Sequence, residues 1–125
     1  IPLCLVGSEM CIRDRVLKMV STLENWMDQK FLLVPSTAPD EPSYEPERYW
    51  RGPVWPHINW MICEGLNDYG FDDLSRKIRM QTLELISKLG FYEYYHTLGE
   101  SGLGGSSFSW TAAVCLIWGN SMNTR

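Results

Sequence analysis

The sequence predicts an all-α chain of about four helices arranged as antiparallel αα-hairpins. Two observations carry that prediction: apolar residues recur at spacings of three and four in separate segments, and prolines and glycines gather between those segments. The order helix, long loop, helix, short turn, helix, long loop, helix places a hairpin between the two long loops. Both loops should therefore meet at one end.

Taken in order, Val16, Val20, Leu23 and Met27 form the apolar stripe of a first helix that stops around Gln29 to Phe31. Pro35, Pro39, Pro42 and Pro46 cannot sit inside a helix or a central strand, so Leu33 to Tyr49 is a long loop, a length usually tied to function. Pro53 and Pro56 suit the first turn of a second helix. Its inward row is either Ile58, Met61, Ile62 and Tyr69 or the adjacent Asn59, Ile62 and Leu66, and Gly70 ends it. Asp72 or Asp73 can cap a third helix with the stripe Leu74, Ile78, Thr82, Leu85 and Leu89, closed by Gly90. A glycine- and serine-rich loop spans Tyr92 to Ser107, and Ser109 caps a last helix from Trp110 to Trp118. That helix is apolar all round, which predicts burial.

Composition narrows the function. The 125 residues, 45% hydrophobic and 21% charged, suit one globular domain. A net charge of −4 with scattered lysines and arginines argues against a nucleic-acid partner. The longest apolar run, Ala112 to Trp118, is far short of the roughly 20 residues a membrane span needs. Cys4, Cys11, Cys63 and Cys115 lack the short Cys/His spacing of a zinc site, His57 and His96 lie far apart, and no metal or cofactor is expected. Cys63 and Cys115, set among apolar residues, are expected as buried thiols, which fits a reducing, cytoplasmic compartment.

The chemistry concentrates in the loops. Tyr49-Trp50-Arg51-Gly52-Pro53-Val54-Trp55-Pro56, Gly90-Phe91-Tyr92-Glu93-Tyr94-Tyr95 and Phe108-Ser109-Trp110-Thr111-Ala112 crowd aromatics around one arginine and one glutamate. Gly99, Gly102, Gly104 and Gly105 let a backbone approach closely. Flat rings stack on the apolar faces of sugars, while carboxylates and guanidinium groups read hydroxyls, so the set suggests a carbohydrate pocket.

These motifs, together with Asn59-Trp60, Gly65-Leu66, Tyr69-Gly70, Thr82-Leu83, Ile86 and Gly104, resemble the C-terminal part of glycoside hydrolase family 63, and within it the mannosylglycerate hydrolases and related α-glucosidases. The likeness covers roughly Phe31 to Trp118. It implies part of an (α/α)6 toroid with its site at the loop-built mouth. It also implies an inverting α-glycosidase acting on mannosylglycerate, glucosylglycerate or a short α-glucoside. Such enzymes pair a general acid with a general base about 6.5–9.5 Å away. The family's base glutamate falls on Glu93 in Glu93-Tyr94-Tyr95.

By the same resemblance, Tyr49, Trp50 and Trp55 present aromatics to sugar and aglycone, and Trp110 and His96 line the pocket. Arg51 either holds a substrate carboxylate or pins the loops by pairing with an internal acid. The segment His96-Thr97-Leu98-Gly99-Glu100-Ser101-Gly102 departs from the family's pattern, which leaves the role of Glu100 open. The family's general-acid aspartate lies upstream of anything matched here, and Asp40, Asp68 and Asp72 stand in a proline loop and at helix ends. This implies a fragment whose partner is the N-terminal remainder of its own domain, with little activity alone.

Two other readings stay open: a trehalase or debranching-type α-glucosidase fragment, and a non-catalytic carbohydrate-binding helical module. Residues 1–15 show no helical periodicity and resemble a translated sequencing linker found at the ends of metagenomic reading frames. They are expected to be a non-native leader before a domain of residues 16–120 and a polar tail of residues 121–125.

Overall fold

In the computed structural model, which describes residues 9–29, 31 and 33–122, the chain runs through α1 (Glu9–Asp28), α2 (Pro56–Asp68) and α3 (Asp72–Leu89). A hairpin of β1 (Tyr92–Tyr95) and β2 (Gly102–Ser106) follows, and α4 (Ser109–Met122) ends the described chain. Four helices are present among the described residues, as expected.

In α1, Val20, Leu23 and Met27 are buried and Val16 packs at the edge of the core, as the stripe predicts. The helix starts at Glu9, so residues 9–15 are helical despite their missing periodicity. Extending a nucleated helix needs only one backbone hydrogen bond per added residue. The rest of the expected leader, including Cys4, lies outside the described residues.

Pro56 occupies the first turn of α2, behind Trp55 in an extended conformation. Its buried row is Pro56, Asn59, Cys63 and Leu66, whereas Met61 is 57% exposed. Of the two expected rows, the one carrying Asn59 and Leu66 therefore faces inward. Gly70, at φ +82°, takes the left-handed conformation that turns the chain into α3. Neither Asp72 nor Asp73 caps α3: Phe71 holds the cap position, and both acids lie in the first turn, where they meet the positive end of the helix dipole. Ile78, Thr82 and Leu85 are buried as expected, with Ser75 and Ile86 beside them. Cys63 Sγ donates to the Ser75 carbonyl at 3.4 Å and Ser75 Oγ donates to the Cys63 carbonyl at 3.3 Å. That reciprocal pair locks α2 against α3.

The segment expected as a loop from Tyr92 to Ser107 is instead an antiparallel hairpin. Tyr92-Glu93-Tyr94-Tyr95 has the aromatic composition of a strand, and the glycines opposite it permit close approach: any side chain at Gly102 would overlap the Tyr92 ring. Two short strands are marginal alone. Here Val54 exchanges backbone hydrogen bonds of 2.8 and 2.9 Å with Tyr95, and the Thr111 hydroxyl donates to the Tyr92 carbonyl at 2.7 Å.

α4 starts one residue earlier than expected. Phe108 supplies the first accepting carbonyl, to Ala112, and Ser109 is already helical. The helix also runs on through Met122, so residues 121 and 122 of the expected tail belong to it, while 123–125 lie outside the described residues. Burial all round does not hold. Thr111, Val114 and Trp118 are buried, but Leu116 is 68% and Ile117 47% exposed. Among the described residues, this helix packs chiefly against α2 and the hairpin.

Candidate active site

The long proline loop is held by its own backbone and by α2. Ser36 N–H donates to the Pro53 carbonyl at 3.1 Å, Ser36 Oγ accepts the Gly52 N–H at 3.1 Å, and the Thr37 hydroxyl donates to the Trp50 carbonyl at 2.9 Å. These bonds fold the loop back upon itself so that Tyr49, Trp50 and Trp55 stand together beside β1. Gly52 is required there, since a Cβ would collide with the Glu45 carbonyl.

The result is a stack of three rings. Trp50 lies on Trp55 with centroids 3.9 Å apart and planes 10° apart, and Trp55 lies on Tyr94 at 4.7 Å and 26°. Tyr49, bent into place at φ +38°, sets its ring edgewise to all three at 5.5, 5.0 and 5.6 Å. Trp55 is only 2% exposed, sandwiched on both faces, and donates its indole N–H to the Tyr49 carbonyl at 3.0 Å. Trp50 is 44% and Tyr49 49% exposed. The outward rings are therefore Trp50 and Tyr49, and Trp55 backs them.

His57, passed over in the sequence as an isolated histidine, stands against this group. Its ring meets Trp110 at 5.1 Å, Trp55 at 5.7 Å and Trp50 at 6.3 Å, all edgewise. It links Trp110 on α4 to the Trp50–Trp55 stack. Burial lowers its pKa from 6.5, favouring the neutral imidazole. The available signal was positional, one residue past the Pro56 that opens α2.

Glu93 lies between Tyr92 and Tyr94 on β1, and its Oε2 accepts the Gly105 N–H at 3.2 Å. Burial raises the Tyr94 phenol pKa, with the neighbouring Glu93 carboxylate and Tyr49 adding to the effect. The pairing of Tyr92 with Ser106 and of Tyr94 with Leu103 spans two steps on β1 and three on β2. Gly104 and Gly105 thus form a bulge opposite Glu93.

Arg51 pairs with an acid of the proline loop. Its guanidinium lies 3.3 Å from Glu45 Oε1, which Arg48 also reaches at 3.0 Å, and the Glu45 N–H donates to the Arg51 carbonyl at 2.7 Å. His96 is buried at 7% exposure, its Nδ1 accepting the Leu98 N–H at 3.2 Å with Glu100 Oε2 3.9 Å away. Next to it, the Tyr44 hydroxyl and the Thr97 hydroxyl share a hydrogen bond of 2.6 Å. This cluster ties the proline loop to the hairpin turn. Asp68 and Asp72 flank the α2–α3 turn, at the end of a 13-residue helix from Trp55. At 1.5 Å per residue that is about 20 Å of helix, too long for a carboxylate pair with Glu93.

A separate groove of about 390 Å³ opens between α1 and α2, lined by Met19, Leu23, Met61, Ile62 and other apolar residues. None of the aromatic stack or Glu93 borders it. So apolar a lining does not suit a sugar.

Comparison with known proteins places this arrangement. The family described as mannosylglycerate hydrolase MGH1-like glycoside hydrolase domain matches residues 5–111. The chain is 44% identical over 106 residues to a mannosylglycerate hydrolase of Thermus thermophilus, covering 85% of this chain and 26% of that protein. It is 38% identical over 91 residues to a glucosylglycerate hydrolase of Mycolicibacterium hassiacum, covering 73% of this chain and 20% of that protein. In three dimensions it aligns with a family 63 mannosylglycerate hydrolase, also of Thermus thermophilus, crystallised with Tris and D-glycerate. The TM-score is 0.82 at 43% identity, over 86% of this chain and 26% of that one. The chain thus spans about a quarter of the relatives it matches, and its helices form a segment of the (α/α)6 toroid of those enzymes. With the three loop motifs, the ring stack and the fold all pointing the same way, the chain belongs to the MGH1-like glycoside hydrolases.

Proposed function

We propose that this chain is the base-bearing segment of an inverting α-glycosidase that hydrolyses mannosylglycerate or glucosylglycerate, with Glu93 as the general base. The observation that carries the reading is the placement of Glu93: its carboxylate is anchored on one oxygen by a backbone N–H and stands next to Tyr94, an end ring of the aromatic stack. A carboxylate so held can take a proton from water attacking the anomeric carbon of a sugar seated on the exposed rings. Trp50 and Tyr49 offer stacking surface, Trp55 supports it from behind, and Trp110 reaches the group through His57. Arg51 serves to pin the loop, since Glu45 already engages its guanidinium.

The general acid comes, as the family resemblance implies, from the part of the toroid outside this segment: Asp68 and Asp72 lie at the far end of α2 and at the start of α3, and Asp40 stands in the proline loop. The substrate class follows from the relatives' hydrolysis of mannosylglycerate and glucosylglycerate, and the buried Cys63 thiol suits a reducing cytoplasm. The test is Glu93→Gln in the complete protein that carries these residues, assayed on both glycerate glycosides. Turnover should fall by about 10²–10⁴-fold with substrate binding retained, and the wild type should release the inverted anomer, visible by NMR. Unchanged turnover would remove Glu93 from the mechanism and leave a carbohydrate-binding role.

A further inference from the structure

We propose that the β-bulge at Gly104–Gly105 is the device that positions the Glu93 carboxylate, making Gly104 a positioning residue for the hydrolysis. The inference deepens the reading of Glu93 as the base and rests on it.

Three observations on the hairpin converge. The register places the extra residue of β2 opposite Glu93, so the bulge sits at the one place on the strand pair where an ionisable side chain needs aiming. Bulges of this kind bend a strand and redirect side chains, and glycine in the left-handed conformation is the residue that builds them. Gly104 has φ +72°.

Second, the bulge turns the Gly105 N–H out of the strand ladder and onto Glu93 Oε2 at 3.2 Å. A carboxylate has about four lone-pair sites. One bond through Oε2 therefore fixes its orientation while leaving the capacity of Oε1 to accept a proton from water.

Third, the glycine is needed for space as well as for its backbone angles. A Cβ at Gly104 would lie 2.7 Å from Tyr94 Cε1, 2.8 Å from Glu93 Oε2 and 2.9 Å from Glu93 Cβ. All three are closer than carbon tolerates, and two of the atoms belong to the side chain being aimed. A methyl group there pushes the carboxylate off the Gly105 N–H and presses on the edge of the Tyr94 ring, at the end of the stack away from the exposed Trp50. Gly104 thus aims the base without touching substrate.

The experiment uses the complete protein carrying this segment. Gly104→Ala should lower kcat by about 10²-fold, the loss expected from a misplacement near 1 Å, with KM within about threefold of wild type. Gly70→Ala is the control for backbone strain. Gly70 also has positive φ, at +82°, but nothing lies within 4 Å of a Cβ there. It should lower thermal stability and leave kcat unchanged. Gly104→Ala with kcat within threefold of wild type would overturn the proposal, as would a KM rise that accounts for the whole loss.

Glu93→Gln separates this from the reading beneath it. If that variant still turns over, the base assignment has failed; if it is inactive while Gly104→Ala works normally, the positioning role alone has failed. Should Gly104→Ala not fold, the wild type supplies an independent readout. The Gly105 amide proton should shift with the ionisation of Glu93 in an NMR titration, and the shift should vanish in Glu93→Gln. An amide that does not respond would likewise overturn the proposal.

Discussion

The side chain of Asn59 and the backbone of Val34 form a closed two-way pair. Asn59 Oδ1 accepts the Val34 N–H at 3.1 Å and Asn59 Nδ2 donates to the Val34 carbonyl at 3.1 Å, with the Asn59 side chain wholly buried. The same amide donates to the Trp55 carbonyl at 3.2 Å. One residue of α2 thus anchors the start of the proline loop and the turn that carries the ring stack. Replacing Asn59 by Ala strands the Val34 N–H and carbonyl in the core, whereas the Trp55 carbonyl keeps the Asn59 backbone N–H at 3.1 Å. Each buried group left unpaired costs about 1–3 kcal/mol, so denaturant unfolding should show a loss of about 3 kcal/mol. Asn59→Asp should be no better, because a carboxylate cannot donate to either carbonyl. A loss under about 1 kcal/mol would mean that water replaces the amide and the anchor is dispensable.

Trp50 and Trp55 should separate stability from binding. Trp55 is packed on both faces, so Trp55→Ala should cost about 3–5 kcal/mol, the range for deleting a large buried aromatic. Trp50 keeps an exposed side, and Trp50→Ala should cost much less while weakening glycoside binding in the complete protein. Paired melting curves and calorimetric titrations check both halves. Equal destabilisation by the two variants would show that the stack is purely structural.

His57 gives the aromatic group a pH dependence of known sign. Burial lowers its folded pKa below 6.5, so the unfolded chain takes up its proton first as pH falls. Its contribution is present above pH 6.5 and is lost as pH drops through the lowered folded value. His57→Gln removes that term. The difference in stability between wild type and variant should therefore narrow or reverse from pH 7 toward pH 5, read by denaturant midpoints at each pH. A constant difference would show that His57 titrates equally in both states.

How much of this was legible in the sequence depends on whether the information was local. The stripe of α3 was, because Ile78, Thr82 and Leu85 repeat with the helical period and nothing competes. In α2 the period alone left two rows open, and buried Asn59 and Cys63 decided between them only through their partners Val34 and Ser75. The hairpin was hidden because four glycines and several serines look like loop by composition. Its bulge depends on the register between Glu93 and Gly104, which no local window contains. The aromatic set was recognisable as chemistry, yet the division into an inner Trp55 and outer Trp50 and Tyr49 comes from the loop's hydrogen bonds. A lone histidine carries no pattern, so His57 emerged only in three dimensions.

The outer faces of the helices yield the last prediction. Met19 and Met61 border the apolar groove between α1 and α2 at 62% and 57% exposure. At the other end of the described chain, α4 leaves Leu116 and Ile117 uncovered. Single exposed apolar residues are ordinary, but a groove with a nearly continuous apolar lining and a helix apolar on its open face together exceed what a monomer usually leaves in water. In a toroid these are the faces that neighbouring helical hairpins cover, and this chain spans about a quarter of its relatives. The 125-residue chain expressed alone should therefore bind a hydrophobic dye strongly and self-associate with rising concentration in sedimentation velocity. Replacing Met19, Met61, Leu116 and Ile117 by polar residues should suppress both signals, since none of the four is part of the buried core. The same substitutions in the complete protein should destabilise it, because there they would place polar groups in packed interfaces. A wild-type chain that stays monomeric, ignores the dye and unfolds in one cooperative step would show instead that these four helices and the hairpin satisfy one another as an autonomous domain.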